Sequence, residues 1–249
     1  MEKKILNVAI VQARMNSSRL RGKVLKKIGP LTCIELLLKR LSKSKLINKI
    51  IVATSTNPQD NILYNQLSEM GVECFRGEEQ NVLKRFVDLL RNTNATNIIR
   101  ITGDCPLIDP SIVDQVIFTF LNNNVEYVSN VDVRSFPDGM DVQVFSLKTL
   151  KRSASLTKDK KDREHVTLHI RKNPEIFSRI NFVSSPDLFW PDLGLTLDEY
   201  PDYILIKNII ENFFRKNKKY FTCYEVINYL KKNKGLLKIN ENVLRKGEK

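Results

Sequence analysis

The sequence predicts an α/β fold in which a mostly parallel sheet is flanked by helices. Short runs rich in β-branched residues alternate with amphipathic segments of helical period over the first two-thirds of the chain. Parallel strands need a crossover between them, and that crossover is usually a helix. No linker, repeat or low-complexity segment divides the 249 residues. We therefore expect a single domain over residues 1–249, with a basic helical segment at about 201–249.

Strands are predicted where short runs rich in β-branched or aromatic residues are bounded by turn residues. The first run is apolar through its middle, which is typical of a strand that is buried on both faces. The predicted strands lie at 5–13, 49–55, 72–75, 97–102, 126–130, 140–145 and 177–185.

Helices are predicted where apolar residues recur every three to four positions. Pro58 at the start of one such segment and Gly71 just past its end follow the usual asymmetry of helix termini. The predicted helices lie at 33–44, 58–70, 78–92, 110–123, 163–173, 201–217 and 223–233.

The formal net charge is +13, and residues 211–249 alone contribute 11 Lys and Arg against 4 Asp and Glu. About half of the excess therefore belongs to the end of the chain, and we interpret it as a solvated basic face rather than a nucleic-acid site. No apolar run approaches the ~20 residues of a membrane span. The four cysteines are widely spaced. These observations predict a cytoplasmic protein with reduced thiols and without a membrane or nucleic acid as partner.

A basic turn follows the first predicted strand, in the stretch IVQARMNSSRLRGK. Four cations this close repel one another, so their clustering favours a dense anion among them, a nucleoside triphosphate being the first candidate. Serine hydroxyls and backbone N–H groups would add donors to phosphate oxygens. The turn matches neither the P-loop nor the G-x-G-x-x-G pattern. A surface loop that is merely basic is the alternative. The cations are Arg14, Arg19, Arg21 and Lys23.

Two carboxylates follow predicted strands or apolar runs at the edge where ligands bind in such sheets. Asp104 stands in RITGDCPLIDP, and a single carboxylate there suits Mg²⁺, which takes one or two carboxylates plus phosphates. Asp109, just before Pro110, is the more natural helix cap. Asp198 ends a short apolar run in LGLTLDEYPDY. If its strand lies beside that of Asp104, the two carboxylates can share a metal; a capping role for Asp198 is the alternative.

Five segments together carry a family resemblance. They are VQARMNSSRLRGKVL, RITGDCPLIDP, FPDGMDVQVFS, DREHVTLHI and LTLDEYPDY. In order and spacing they resemble the cytidylyltransferase family of spore coat polysaccharide biosynthesis protein F, which is related to the CMP-sugar synthetases. The resemblance covers about residues 6–205. It implies a GT-A-like, Rossmann-related nucleotidyltransferase fold. Arg21 departs from the pattern, since relatives commonly have Pro at that position.

The resemblance also implies roles for individual residues. Arg14, Lys23 and Asp104 would be catalytic, and Mg²⁺ would be held by Asp104 and Asp198. Nucleotide binding would fall to Gln12, Ala13, Arg14, Ser17, Ser18, Arg19, Gly22, Lys23, Thr54, Arg76 and Asp104. The acceptor pocket would be shaped by Asp138, Asp141, Glu164 and His165.

The expected reaction is transfer of CMP from CTP to a small sugar-like acceptor, with pyrophosphate released, for cell-surface glycan synthesis. An acidic nonulosonate-type sugar is the acceptor that the resemblance favours, and a homodimer is the common state of related synthetases. Another nucleotide or a phosphorylated acceptor is the first alternative. A glycosyltransferase of the same fold type and a basic nucleic-acid-binding protein are the others. A zinc site at His165 and His169 is not expected, because no third ligand is evident.

Overall fold

The structure, a computed structural model, describes residues 5–245, and its central feature is a mixed sheet of seven strands in that range. The strand order is β5-β4-β1-β6-β8-β7-β9, and β2 pairs with β3 in a separate small hairpin. The strands are β1 (Asn7–Gln12), β2 (Lys27–Ile28), β3 (Leu31–Thr32), β4 (Lys49–Ser55), β5 (Cys74–Gly77), β6 (Asn97–Thr102), β7 (Tyr127–Ser129), β8 (Gln143–Ser146) and β9 (Arg179–Asn181).

The sheet has a parallel half and a mixed half. Strands β5, β4, β1 and β6 are parallel to one another, whereas β8 is antiparallel to both β6 and β7. Strand β9 then pairs in parallel with β7. The expected α/β fold with a mostly parallel central sheet is confirmed, and the carboxyl ends of β1 and β6 lie side by side in register.

Helices cover both faces of the sheet. They are α1 (Cys33–Leu41), α2 (Asn61–Glu69), α3 (Val82–Leu90), α4 (Pro110–Leu121), α5 (Leu147–Leu156), α6 (Lys160–Glu164), α7 (Leu168–Lys172), α8 (Tyr200–Arg215) and α9 (Cys223–Lys232). Alternate residues of β1 enter different apolar clusters, because successive side chains of a strand point to opposite faces. Ala9 and Val11 pack with α1, α2 and α4, whereas Val8 and Ile10 pack with α3, α5 and α7.

A third apolar cluster joins α8 and α9 to the segment that precedes Asp198, including Leu195 and Leu197. Buried Arg40 of α1 ties this region together, because its guanidinium donates to the carbonyl oxygens of Ile108 at 2.9 Å and Phe221 at 2.8 Å. Satisfying a buried guanidinium with carbonyls avoids the cost of an unpaired charge. The C-terminal helices thus support the chain immediately behind Asp198.

Most predicted elements occur, with differences at their ends and two substantive corrections. The predicted helix at 163–173 is wrong, because it divides into α6 and α7 at His165, whose backbone is not helical (φ −105°, ψ 66°). Buried Thr167 turns its hydroxyl to Gln143 of β8 at 2.5 Å instead. Helix α5 was not predicted. Within residues 5–245, no helix is both long and apolar enough to cross a membrane.

Candidate active site

A cavity of about 790 Å³ opens beyond the carboxyl ends of β1 and β6. Close approach of these two strand ends requires a glycine, since a Cβ at Gly103 would lie 2.7 Å from the Cβ of Ala13. The Gly103 amide donates to the Gln12 carbonyl oxygen at 2.8 Å, which holds the two ends together. Expected site residues on the cavity wall are Gln12, Ala13, Arg14, Ser17, Ser18, Arg19, Lys23, Asp104, Asp138, Asp141, His165 and Asp198.

The basic turn is fixed at both of its ends. Gly22 adopts a left-handed conformation (φ 64°), which a residue with a Cβ rarely takes, and it starts the 3-10 turn that carries Lys23. At the other end, the buried carboxylate of Asp60 accepts the Met15 amide at 2.7 Å and also a hydrogen bond from the Ser55 hydroxyl. Asp60 was not among the predicted site residues. A carboxylate two residues after Pro58, at the start of an amphipathic segment, could have indicated a hydrogen-bonding role.

A charged cluster forms where the basic turn meets the two predicted carboxylates. The Lys23 ammonium lies 2.7 Å from Oδ2 of Asp104 and 3.2 Å from Oδ1 of Asp198. Arg19 Nη2 lies 2.9 Å from the same oxygen of Asp198. The Leu197 amide donates to the Asp104 carbonyl oxygen at 2.8 Å, which joins the two carboxylate-bearing segments. Asp198 follows an irregular segment instead of the expected strand, yet the expected closeness to Asp104 holds.

Ionisation in this cluster is mutually reinforced. Burial by itself raises the pKa of Asp104, but the Lys23 ammonium outweighs burial and holds this pKa below its ordinary value. Burial lowers the pKa of Lys23, but Asp104 and then Asp198 raise it above the ordinary value. Both partners are therefore charged at neutral pH. Two carboxylate oxygens consequently face a single cation at the rim of the cavity.

Another part of the cavity wall is built by the FPDGMD segment. Gly139 lies at φ 107°, and a Cβ there would approach the Leu195 carbonyl carbon to 2.8 Å, so this turn requires glycine. The turn pairs Asp138 with the chain around Gly194. Asp138 Oδ1 accepts the Thr196 hydroxyl at 2.9 Å. Asp138 and Asp141 thus face the cavity as expected.

Three arginines on this side were not expected from the sequence. Arg134 lies 3.4 Å from Asp138 and 3.6 Å from Asp141. Arg171 lies 2.5 Å from Asp132, and Arg100 donates to Gln143 Oε1 at 3.1 Å. A charged residue inside the apolar strand NIIRIT was a signal for Arg100. Arg134 and Arg171 reach the cavity only through tertiary folding.

Four expected site residues do not line the cavity wall. Thr54 is fully buried within β4, and Arg76 lies on β5, two strands away from β1. The Arg76 guanidinium instead donates to the Ser55 carbonyl oxygen at 3.0 Å and stacks over Tyr64. Glu164 is exposed at the end of α6 and does not line the cavity. Gly22 shapes the backbone of the basic turn but does not line the cavity.

Comparison with known proteins agrees with this geometry. The chain is 35% identical over 240 residues to an uncharacterized protein of Methanocaldococcus jannaschii, covering 96% of each chain. It is 34% identical over 207 residues to the spore coat polysaccharide biosynthesis protein SpsF of Bacillus subtilis, covering 81% of this chain and 85% of that protein.

Two solved structures are also similar to this chain. A cytidylyltransferase from Leptospira borgpetersenii superimposes with a TM-score of 0.89 at 30% identity, covering 98% of this chain and all of the other. A CMP:2-keto-3-deoxy-manno-octonic acid synthetase in complex with CTP shares the fold, with a TM-score of 0.65 at 14% identity over 83% of this chain and 99% of that one. The sequence pattern of the cytidylyltransferase family matches residues 8–249. The match takes in every segment of the cavity described above, and the chain belongs to this family of nucleotidyltransferase enzymes.

Proposed function

We propose that the protein transfers CMP from CTP to a small sugar-like acceptor and releases pyrophosphate, with Mg²⁺ as its cofactor. The observation that carries the proposal is the contact of the Lys23 ammonium with both Asp104 and Asp198. Such a cluster suits a polyphosphate and a cation, because each can take over one side of an existing ion pair. The SpsF and synthetase relatives support the sugar-like acceptor.

On this proposal, nucleotide binding rearranges charges that are already in place. The phosphates take Lys23 and Arg19 from their carboxylate partners, and Arg14, Ser17 and Ser18 add donors from the same turn. The cations then hold the α-phosphorus toward the acceptor side of the cavity, which is the main contribution a protein makes to phosphoryl transfer.

The carboxylates fit a magnesium ion. Asp104 and Asp198 each bring an oxygen to one cationic position, and Mg²⁺ usually takes one or two protein carboxylates with substrate phosphates. Across residues 5–245, no group of three or more His, Cys, Asp or Glu side chains is arranged as a metal site of its own. When bound, the ion would neutralise the triphosphate and stabilise the charge that develops on the leaving pyrophosphate.

The acceptor binds beside the FPDGMD segment in this proposal. Asp138, Asp141 and His165 would accept or donate hydrogen bonds to sugar hydroxyls, and Arg134 and Arg171 would neutralise an acidic group. We therefore retain an acidic nonulosonate-type sugar as the acceptor. An acceptor oxygen attacks the α-phosphorus, the bond to the β-phosphate breaks, and pyrophosphate leaves. A phosphorylated acceptor is the second candidate, since the same arginines would also suit a phosphate group.

Nucleotide-dependent thermal stabilisation tests the proposal. CTP with Mg²⁺ should raise the melting temperature more than UTP, GTP or ATP, since ligand at 100 times its dissociation constant adds about 2.7 kcal/mol. Pyrophosphate release with acidic sugars should then fall to background in Asp104→Ala but persist in Asp187→Ala, a matched change at an exposed position. Selective stabilisation by UTP, GTP or ATP would mean that a different nucleotide is transferred. A protein that no nucleotide stabilises would refute the proposed reaction. A homodimer in the cytoplasm stays a prediction.

A further inference from the structure

The last described residues of the chain lie against the active-site cavity. We call residues 240–245 the terminal strap. Asn240 Nδ2 donates to the Gly194 carbonyl oxygen at 3.0 Å and to Asp202 Oδ1 at 2.9 Å. Further along, the carbonyl oxygen of Leu244 accepts from Arg19 Nη1 at 3.3 Å. The strap is therefore attached both to the wall of the cavity and to the basic turn.

Arg245, at the end of the strap, lines the cavity itself. Its Nη2 lies 2.7 Å from Oδ1 of Asp202, a carboxylate that is fully buried. The guanidinium rests on Gly194, where a Cβ would overlap it. Asp202 Oδ2 in turn accepts the amide of Asp198 at 3.1 Å. The Asp202 carboxylate thus connects the guanidinium of Arg245 to the backbone amide of Asp198, which belongs to the charged cluster.

One donor of Arg245 is left over by these contacts. Nη1 is buried, and no acceptor among residues 5–245 lies within hydrogen-bonding distance of it. A buried charged donor without a partner is costly, and a small turn of the partly exposed guanidinium toward the cavity that Arg245 lines would let a ligand supply the acceptor. Arginine is also the side chain best suited to phosphate, because its planar fork can donate two bonds at once. The unpaired donor therefore indicates a ligand group beside the strap.

We propose that Arg245 is a further nucleotide-binding residue, which donates to a phosphate oxygen at the pyrophosphate end of the bound triphosphate. The proposal rests on the proposed function. It favours the pyrophosphate end because the strap contacts Arg19 through Leu244 and Asp198 through Asp202. These contacts lie on the side of the basic turn. Gly194 also pairs with Asp138, so the acceptor is the competing ligand and the experiment must separate the two.

Calorimetric titration with CTP, CMP and inorganic pyrophosphate, each with Mg²⁺, makes that separation, because CMP lacks the β- and γ-phosphates. In Arg245→Ala we expect CTP and pyrophosphate to bind about 10- to 100-fold more weakly, the range for a lost charge-assisted hydrogen bond. CMP affinity should stay within about twofold. Arg245→Lys should recover part of the loss, since it keeps the charge but not the fork. Exposed Arg215, at the end of α8, gives the matched control Arg215→Ala.

A second variant tests the position of the guanidinium while leaving Arg245 unchanged. Gly194→Ala places a methyl group where the guanidinium rests, and the flexible side chain must move away. We expect the same selective loss of CTP and pyrophosphate affinity. We expect all variants to fold, because Asp202 keeps Asn240 and two backbone amides as partners without Arg245. Melting curves of each variant check this.

Each remaining outcome is informative. Equal losses for CTP and CMP, or unchanged affinities for all three ligands, would overturn the proposal while leaving the proposed function intact. An intact CTP affinity with a raised KM for the acceptor would assign Arg245 to the acceptor pocket and overturn it as well. A wild-type protein that binds no CTP would refute the proposed function, and this inference with it.

Discussion

Lys23→Ala removes the cation that joins Asp104 and Asp198. Arg19 then remains as a cation beside Asp198, at 2.9 Å from its Oδ1. Asp104 loses the interaction that holds its pKa down, while burial continues to raise that pKa. We expect the variant to fold with lower stability and with a higher pKa at Asp104.

The size of the effect follows from the geometry. At 2.7 and 3.2 Å, the two attractions amount to about 6 and 5 kcal/mol at an effective dielectric constant of about 20. Desolvation of the three charges offsets most of this, and breaking one side of a buried pair typically costs about 3–5 kcal/mol. The Asp104 and Asp198 side chains keep 21% and 12% exposure, so the lower part of the range applies. We expect a loss of about 3 kcal/mol, or roughly 6–12 °C in Tm.

Thermal unfolding with and without Mg²⁺ is the assay. Millimolar Mg²⁺ should recover much of the lost stability in Lys23→Ala but add little to the wild type, because the wild-type carboxylates are already neutralised. Exposed Lys148 provides the control Lys148→Ala, which should match the wild type in both conditions. A Lys23→Ala protein that melts with the wild type, or one that ignores Mg²⁺, would refute the reasoning.

The pH dependence gives an independent check. The folded-state pKa of Lys23 lies above its ordinary value of 10.5. Its stabilisation is therefore fully present below pH 10.5 and is lost as the pH rises through the folded-state pKa. The difference in unfolding free energy between wild type and Lys23→Ala should be constant from pH 7 to 10 and shrink above that. A difference that grows at alkaline pH would contradict the ion-pair assignment.

The remaining predictions concern turnover and the two walls of the cavity. Asp104→Asn should keep the fold but lower kcat at least ~1000-fold, a loss of roughly 4 kcal/mol in transition-state stabilisation, measured by pyrophosphate release; full turnover would remove Asp104 from the reaction. Asp60→Ala should release the Met15 amide, raise the KM for CTP about tenfold and cost about 1–3 kcal/mol of stability. Gly139→Ala should destabilise by about 2 kcal/mol or more in denaturant melts, because of its positive φ and the Leu195 backbone; an unchanged midpoint would exclude strain there.

Strands and helices with a strong local pattern were predictable from the sequence. The strands at 49–55 and 97–102 occur with the predicted bounds, because each is a buried run of β-branched residues between turn signals. The cap formed by Asp109 ahead of Pro110 is equally local, and its carboxylate accepts the Ser111 amide at 2.9 Å. Strands and caps that are determined by such local contacts depend little on the tertiary structure.

Features that depend on distant contacts were not predictable. The break between α6 and α7 follows from the bond between Thr167 and Gln143, which are 24 residues apart in the chain. Asp198 was placed near Asp104 for a partly wrong reason, since tertiary packing and not strand pairing brings them together. Arg245 reaches the cavity only because Asp202 and Gly194 receive it. No periodicity in the sequence encodes such contacts.

The sheet changes from parallel to antiparallel pairing between β6 and β8, and the cavity wall takes residues from both parts of the chain. The basic turn and Asp104 come from the parallel half of the sheet, whereas the wall with Asp138, Asp141 and Arg171 comes from chain beyond residue 130, around the antiparallel strand β8. Evolution can therefore alter one wall while the other stays intact. On the proposed function, exchanging residues 131–171 between relatives should redirect the choice of acceptor and preserve the choice of nucleotide.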